Sequence, residues 1–320
     1  MSRLPDGALL DVTITSVRLR SLRAPVQLAV TAGLLALLWH VSGGKMVDRI
    51  AGADPLWVAA GLGCATAAMG FAALRWRYTA LCVGVSITLE RSVKEFYLAG
   101  FLNQVLPGGI AGDALRAWRQ GKHAASVERG GMGRAIRAVV IERIANQTVI
   151  AICALVSLTL WMWMPGAFAH TRIWLPLVGF GAVVGSIPVA IGVLARRHGG
   201  GRIERLLRDG REALLGRSML AQLGLGFLVI GSCVVMFYCA AQAVHAPLSL
   251  FHLVALVPGA LFAMSIPISI GGWGLREASA VALWTMAGLS PDAALASSIV
   301  YGLLALLGAL PGAIVLAVDR

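Results

Sequence analysis

Charge is what this chain has least of. Only 13% of its 320 residues are Asp, Glu, Lys or Arg, against 58% hydrophobic. A soluble domain carries about a quarter charged residues, so an ordinary water-soluble fold is excluded. Lysine is nearly missing: Lys45, Lys94 and Lys122 are the only three, and the other 24 basic residues are Arg. Cysteine is sparse too, with Cys64, Cys82, Cys153, Cys233 and Cys239 scattered and no CxxC pair, which rules against a disulfide framework or a zinc site. The six histidines stand alone, none at a ligand spacing from a carboxylate or cysteine, so no metal is expected. No GxSxG, Walker A, HExxH or Rossmann signature occurs in its required context. No catalytic residue and no cofactor is therefore expected, and the chain does not read as an enzyme. The net charge of +12 would suggest nucleic acid in a soluble protein. Here no basic run is interleaved with exposed aromatics, so nucleic acid is not an expected partner.

What is present is a series of long apolar runs separated by blocks of arginine, the pattern of an all-α polytopic membrane protein. The expectation is a single integral domain over residues 1–320, a helical bundle of about six to eight transmembrane elements. A basic N-terminus, 1–23, precedes an apolar run from Ala24 to Val41. That run is too long for a signal peptide's apolar core, so it reads as a retained first helix with a cytoplasmic N-terminus. Helix 2 is expected over 55–74, with Ala59, Gly63 and Ala67 as a small-residue packing face and Arg75 and Arg77 at its cytoplasmic exit. Residues 78–89 are too short to span. Further helices are expected over 135–163, 173–195, 219–243 and 293–318, the last capped by Ser290 with Pro291 at its start. The segment 196–217 forms a second basic cytoplasmic loop, and 202–215 within it reads as an amphipathic surface helix with its leucines facing lipid.

Two segments break this pattern. Pro107-Gly108-Gly109-Ile110-Ala111-Gly112-Asp113-Ala114-Leu115-Arg116 recurs 160 residues later as Pro267-Ile268-Ser269-Ile270-Gly271-Gly272-Trp273-Gly274-Leu275-Arg276, half the chain length on. Paired interruptions in corresponding halves point to a transporter binding site, because broken helices expose backbone groups that must line a cavity or hold a ligand. The apolar piece 96–106 before the first break rises only about 16 Å, half a bilayer core. With basic residues on both sides, 96–116 reads as a re-entrant element, and 249–288 as its counterpart. The helix count places both breaks near the cytoplasmic face, whereas an inverted repeat would oppose them.

The candidate substrate-binding residues follow. Glycines at the breaks (Gly108, Gly109, Gly112, Gly271, Gly272, Gly274) permit close approach to the main chain. Arg116 and Arg276 offer planar forks suited to a phosphodiester, or else pair with Asp113 and Glu277. Glu142 and Arg143, with Asn146 and Gln147 one turn on, form a polar stripe on an apolar helix. Asp113 and Glu142 have three open roles: salt-bridge partner, proton carrier or substrate contact. Asn103 and Gln104 could bond a headgroup or satisfy groups freed by the break.

The run from Phe101 to Arg116 resembles the N-x-x-L-P-G-x-x-G-G-D-x-x-R signature of the lysylphosphatidylglycerol synthase transmembrane family. These are flippase-like proteins related to the membrane domain of MprF. Ile141-Glu142-Arg143 resembles its x-E-R element, and Pro267 to Glu277 its P-x-x-G-G-x-G-x-R-E element. Ala111 stands where a glycine is usual. The resemblance implies a multi-pass inner-membrane protein with re-entrant helices that translocates or binds an anionic or aminoacylated lipid. It carries over Asn103, Pro107, Gly112, Asp113, Arg116, Glu142, Arg143, Gly271, Gly272, Gly274, Arg276 and Glu277. The soluble aminoacyl-transferase domain of MprF is not in these 320 residues, so synthase activity is not expected with the name. The expectation is a transporter in which Arg116, Arg143 and Arg276 hold an anionic headgroup. The alternative is a non-transporting accessory protein that docks a lipid-, hopanoid- or glycolipid-synthesising enzyme.

Overall fold

The computed structural model describes residues 27–29, 31–34, 36–37, 40, 45–106, 109, 111–127, 130–161, 201–246, 248–265 and 269–318. The expected helix over 173–195, the N-terminal segment 1–23 and Gly108 lie outside these residues. Every described residue between 27 and 40 is helical. Eleven helices follow: α1 Lys45–Ala51, α2 Pro55–Cys82, α3 Leu89–Val105, α4 Ala111–Val127, α5 Gly131–Trp161, α6 Gly201–Leu214, α7 Arg217–Ala243, α8 Leu250–Ala263, α9 Leu275–Met286, α10 Pro291–Ala309 and α11 Pro311–Val318. No strand occurs among the described residues. Among the described residues, four stretches are long and apolar enough to cross a membrane: α2, α5, α7 and the joined α10 and α11.

Local chemistry sets the helix starts. Asp54 caps α2 by accepting the Leu56 N–H at 2.8 Å, with Pro55 in the first turn. Thr88 caps α3, Ser249 caps α8 and Ser290 caps α10, each accepting a backbone N–H three residues on. The Ser290–Pro291 start is as the sequence predicts.

Close backbone approaches fold the broken segments into two antiparallel hairpins. In α3–α4, a Cβ on Gly112 would collide with the Ala99 backbone, and Arg119 Nε donates to Glu95 at 2.8 Å nearer the open end. In α8–α9, Gly259 faces Leu283 and Gly272 faces Met264. The hairpins enter the bundle from opposite ends. The α3–α4 hairpin opens at the Cys82 end of α2: Gly84 neighbours Arg134 at the start of α5, and Cys82 neighbours Ser218 at the start of α7. The α8–α9 hairpin opens at the other end, where the Asp54 N–H donates to Ala243 O at 2.9 Å and Ser157, near the end of α5, donates to Ala255 O at 2.5 Å. Their tips meet midway: a Cβ on Gly271 would sit 3.0 Å from Gln104 O.

The 160-residue offset seen in the motif governs the whole chain. Shifted by 160, α2 overlays α7, α3 overlays α8, α4 overlays α9, and α5 overlays α10 with α11. Because α2 and α7 run in opposite directions, as do their hairpins, the halves form an inverted repeat. The expectation that both breaks lie near one face is corrected accordingly: each hairpin opens at its own end.

Other expectations are also corrected. Helix α2 does not stop at residue 74 but continues to Cys82, with Arg75 buried inside it; partners on α5 make that burial tolerable. Its packing face is Gly61, Ala65 and Ala72, with Gly61 against Leu304 and Ala65 against Gly308, whereas Gly63 meets nothing. The first half-helix begins at Leu89, not 96, because Glu95 is neutralised by Arg119. The last span breaks at Leu310, before Pro311, as expected of proline. Helix α6 forms, but Leu206, Ala213 and Leu214 pack on protein beside Trp76, Ala138 and Ile141, while Leu207 and Leu215 stay exposed.

Candidate functional site: a chamber between two hairpin tips

The two break tips, with α2, α5, α7 and α10, enclose a cavity of about 340 Å³. One side is polar: Arg75 from α2, Asn103 and Gln104 from α3, Asp113 from α4, and the stripe Glu142, Arg143, Asn146 and Gln147 from α5. The remaining lining is largely apolar and comes from α2, α7 and α8, including Ala68, Met69, Val229, Met236 and Leu261. Gly109, Ser269, Gly271 and Gly272 bring both breaks to its wall. Gly109, Gly271 and Gly272 have φ of 59°, 56° and 81°, a backbone region that side chains disfavour.

The polar wall belongs to a network of three guanidinium groups and two carboxylates, of which Arg116 lies behind the wall. Arg75 Nη2 donates to Glu142 Oε1 at 2.6 Å and Asn146 Oδ1 at 2.9 Å. Arg116 Nη2 bridges Asp113 Oδ1 at 2.8 Å and Glu142 Oε2 at 3.0 Å. Arg143 Nε donates to Asp113 Oδ2 at 2.7 Å, its Nη2 pairs with the same oxygen, and Nη2 also reaches Gly109 O at 3.2 Å. Asn103 ties the tip together, accepting from Gly112 N at 2.8 Å and donating to Asp113 at 3.1 Å. Asn103 thus satisfies groups freed by the break.

Five of the predicted site residues lie off the cavity. Arg116 is 1% exposed and held between the rings of Trp76 and Phe96, 4.6 and 4.8 Å from their centroids. It is a positioning group behind Asp113 and Glu142, not a headgroup contact. Gly112 is spent on packing against Ala99. In the second half, Arg276 and Glu277 are both fully buried and pair with each other. Glu277 Oε2 accepts from Gly274 N at 2.6 Å, securing the start of α9, and Arg276 Nε donates to Ser298 at 3.2 Å. Arg276 also lies 5.1 Å from the Tyr301 ring, and Tyr301 lines the cavity. Gly274 lets Leu34 of the N-terminal stretch approach. The sequence puts Arg276 and Glu277 at the substrate; the structure instead joins them in a buried ion pair off the cavity. Asn103, Gly109, Asp113, Glu142, Arg143, Asn146, Gly271 and Gly272 line the cavity.

Residues 26–312, which include both hairpins and the stripe, match a single family of membrane proteins. The chain belongs to the lysylphosphatidylglycerol synthase TM region family. No curated protein matches it. Membership makes the chain a multi-pass helical membrane protein with a lipid-related role. Its family motifs mark the hairpin tips and the α5 stripe, yet they omit three cavity groups. Arg75 was read as an exit charge, although the apolar residues after it keep the helix going. Gln104 Oε1 and Ser269 Oγ are buried, line the cavity and have no hydrogen-bond partner. The usable signal for all three was proximity to the breaks and the need of Glu142 for a cation.

Proposed function

We propose that the chamber receives the anionic headgroup of a membrane lipid and conducts it between the leaflets of a bacterial inner membrane while the tails stay in lipid. One observation carries this reading: both break tips and the arginine-bearing stripe line one cavity, where Arg75 and Arg143 keep donors turned to the space while both carboxylates are already paired. Arg143, with 40% of its side chain exposed, and Arg75 present the donors. The apolar lining suits an amphiphile, since ligand sites join apolar surface to a few placed polar groups. Six basic residues at the Cys82 end (Arg77, Arg91, Lys122, Arg205, Arg208, Arg211) against Lys45 and Arg49 at the other support a cytoplasmic Cys82 end. The first hairpin then re-enters from the cytoplasm and the second from outside.

The test is transfer of a fluorescent phosphatidylglycerol across vesicles containing the full chain. Arg143→Gln should slow transfer by about tenfold or more, the scale of losing one charge-assisted contact, with folding unchanged. Unchanged transfer would remove the assignment. If wild type moves no lipid and instead co-purifies with a lipid-synthesising enzyme through the exposed charged face of α6, the accessory reading replaces it.

A further inference from the structure

Resting on that reading and sharpening it, we propose that the chamber selects an anionic headgroup carrying a free hydroxyl and rejects one carrying an ammonium, such as an aminoacylated lipid. The inference comes from which partners the cavity leaves unused. A cationic headgroup needs a carboxylate with spare capacity, because an ammonium in a low-dielectric site must be paired. Among the described residues only Asp113 and Glu142 bring carboxylates to the cavity. Both are already engaged: Asp113 by Arg116, Arg143 and Asn103, and Glu142 by Arg75 and Arg116. Glu277, buried off the cavity, is locked to Arg276 and the α9 start. An incoming ammonium would therefore meet two arginines, Arg75 and Arg143, and find its counter-ions taken.

The unused groups fit a different ligand. Arg75 is 1% exposed, lines the cavity, and leaves Nε and Nη1 without partners. With the open side of Arg143 these donors suit a phosphate oxygen. Gln104 Oε1 and Ser269 Oγ are the unpartnered oxygens, one on each hairpin tip. A buried amide oxygen accepts and a serine hydroxyl does both, so together they match a hydroxyl beside the phosphate. Leaving such groups unmade is costly, and a ligand that satisfies them gains accordingly.

The experiment measures binding apart from transport. The full chain in detergent, analysed by native mass spectrometry, competes phosphatidylglycerol against lysyl-phosphatidylglycerol, phosphatidic acid and phosphatidylcholine, with free glycerol phosphate as a separate arm. Phosphatidylglycerol should outcompete its lysylated form by roughly tenfold or more, as like-charge mismatch predicts, and should also exceed phosphatidic acid. Gln104→Leu combined with Ser269→Ala should erase the preference over phosphatidic acid but keep that over the lysylated lipid. Arg143→Lys should retain the order and Arg143→Gln should flatten it. Equal or stronger retention of the lysylated lipid overturns the proposal, as does a double variant with unaltered preferences. Competition by glycerol phosphate equal to that of the lipid would show a soluble phosphate site and overturn the lipid class. Vesicles that show no transfer sink the transport reading alone, because the binding order is read without it.

Discussion

Three arginines of similar sequence context meet three different fates, decided by what each side chain can reach. Arg276 reaches only Glu277, Ser298 and two aromatic rings, and is sealed off. Arg116 reaches two carboxylates and is equally sealed. Arg143 reaches one carboxylate and keeps a face on the cavity. Substitutions should separate these roles. Glu142→Gln leaves Arg75 and Arg116 short of a counter-charge in the interior and should destabilise the fold by about 3–5 kcal/mol, the usual cost of breaking a buried ion pair from one side. Arg143→Gln should cost under about 1 kcal/mol, since a partly exposed pair contributes little. Thermal melts in a fixed detergent check both, and equal losses would contradict the distinction between sealed and open arginines.

At the scale of elements, the two hairpins depend on glycines for different reasons. Gly271 has φ 56° and faces Gln104, so Gly271→Ala should cost about 1–2 kcal/mol from the left-handed backbone alone and part the tips. Gly302 has ordinary helical placement, but a Cβ there would strike the Arg276 guanidinium and the Trp273 ring. Gly302→Ala should therefore lower the melting temperature while leaving residues of the cavity wall in place, a difference that lipid-binding measurements can resolve. These elements were only partly legible in the sequence. The breaks, their offset, the α5 stripe and the Ser290 cap all followed from residue types at fixed spacing. Helix α2 past Arg75, and α3 back to Leu89, did not. A charge inside an apolar run marks a helix end unless a distant partner neutralises it, and Glu142 and Arg119 lie 67 and 24 residues away from the charges they neutralise. Gln104 was legible only as a polar side chain beside the first break, and Ser269 was not singled out: neither belongs to a charged pattern, and only the meeting of the tips makes them neighbours of one cavity.

For the molecule as a whole, the opposed hairpins make a directional prediction. With the five native cysteines replaced, a cysteine at Ser86 and one at Thr285, both exposed, should react with a membrane-impermeant thiol reagent added from opposite faces of the membrane. Labelling of both from one face would refute the inverted arrangement. That arrangement is symmetric in its helices but not in its chemistry. Position 142 carries glutamate, whereas its equivalent 160 residues on is Gly302; Arg143 corresponds to Leu303, and Asp113 to Trp273. Were the halves chemically alike, exchanging their shapes would turn the open-inward form into the open-outward form at equal energy. With every ionised group of the chamber fixed to the first half, no rotation equates those forms. Which face the protein rests toward is then a property written in side chains, and a chain built from two copies of the first half would lose that preference.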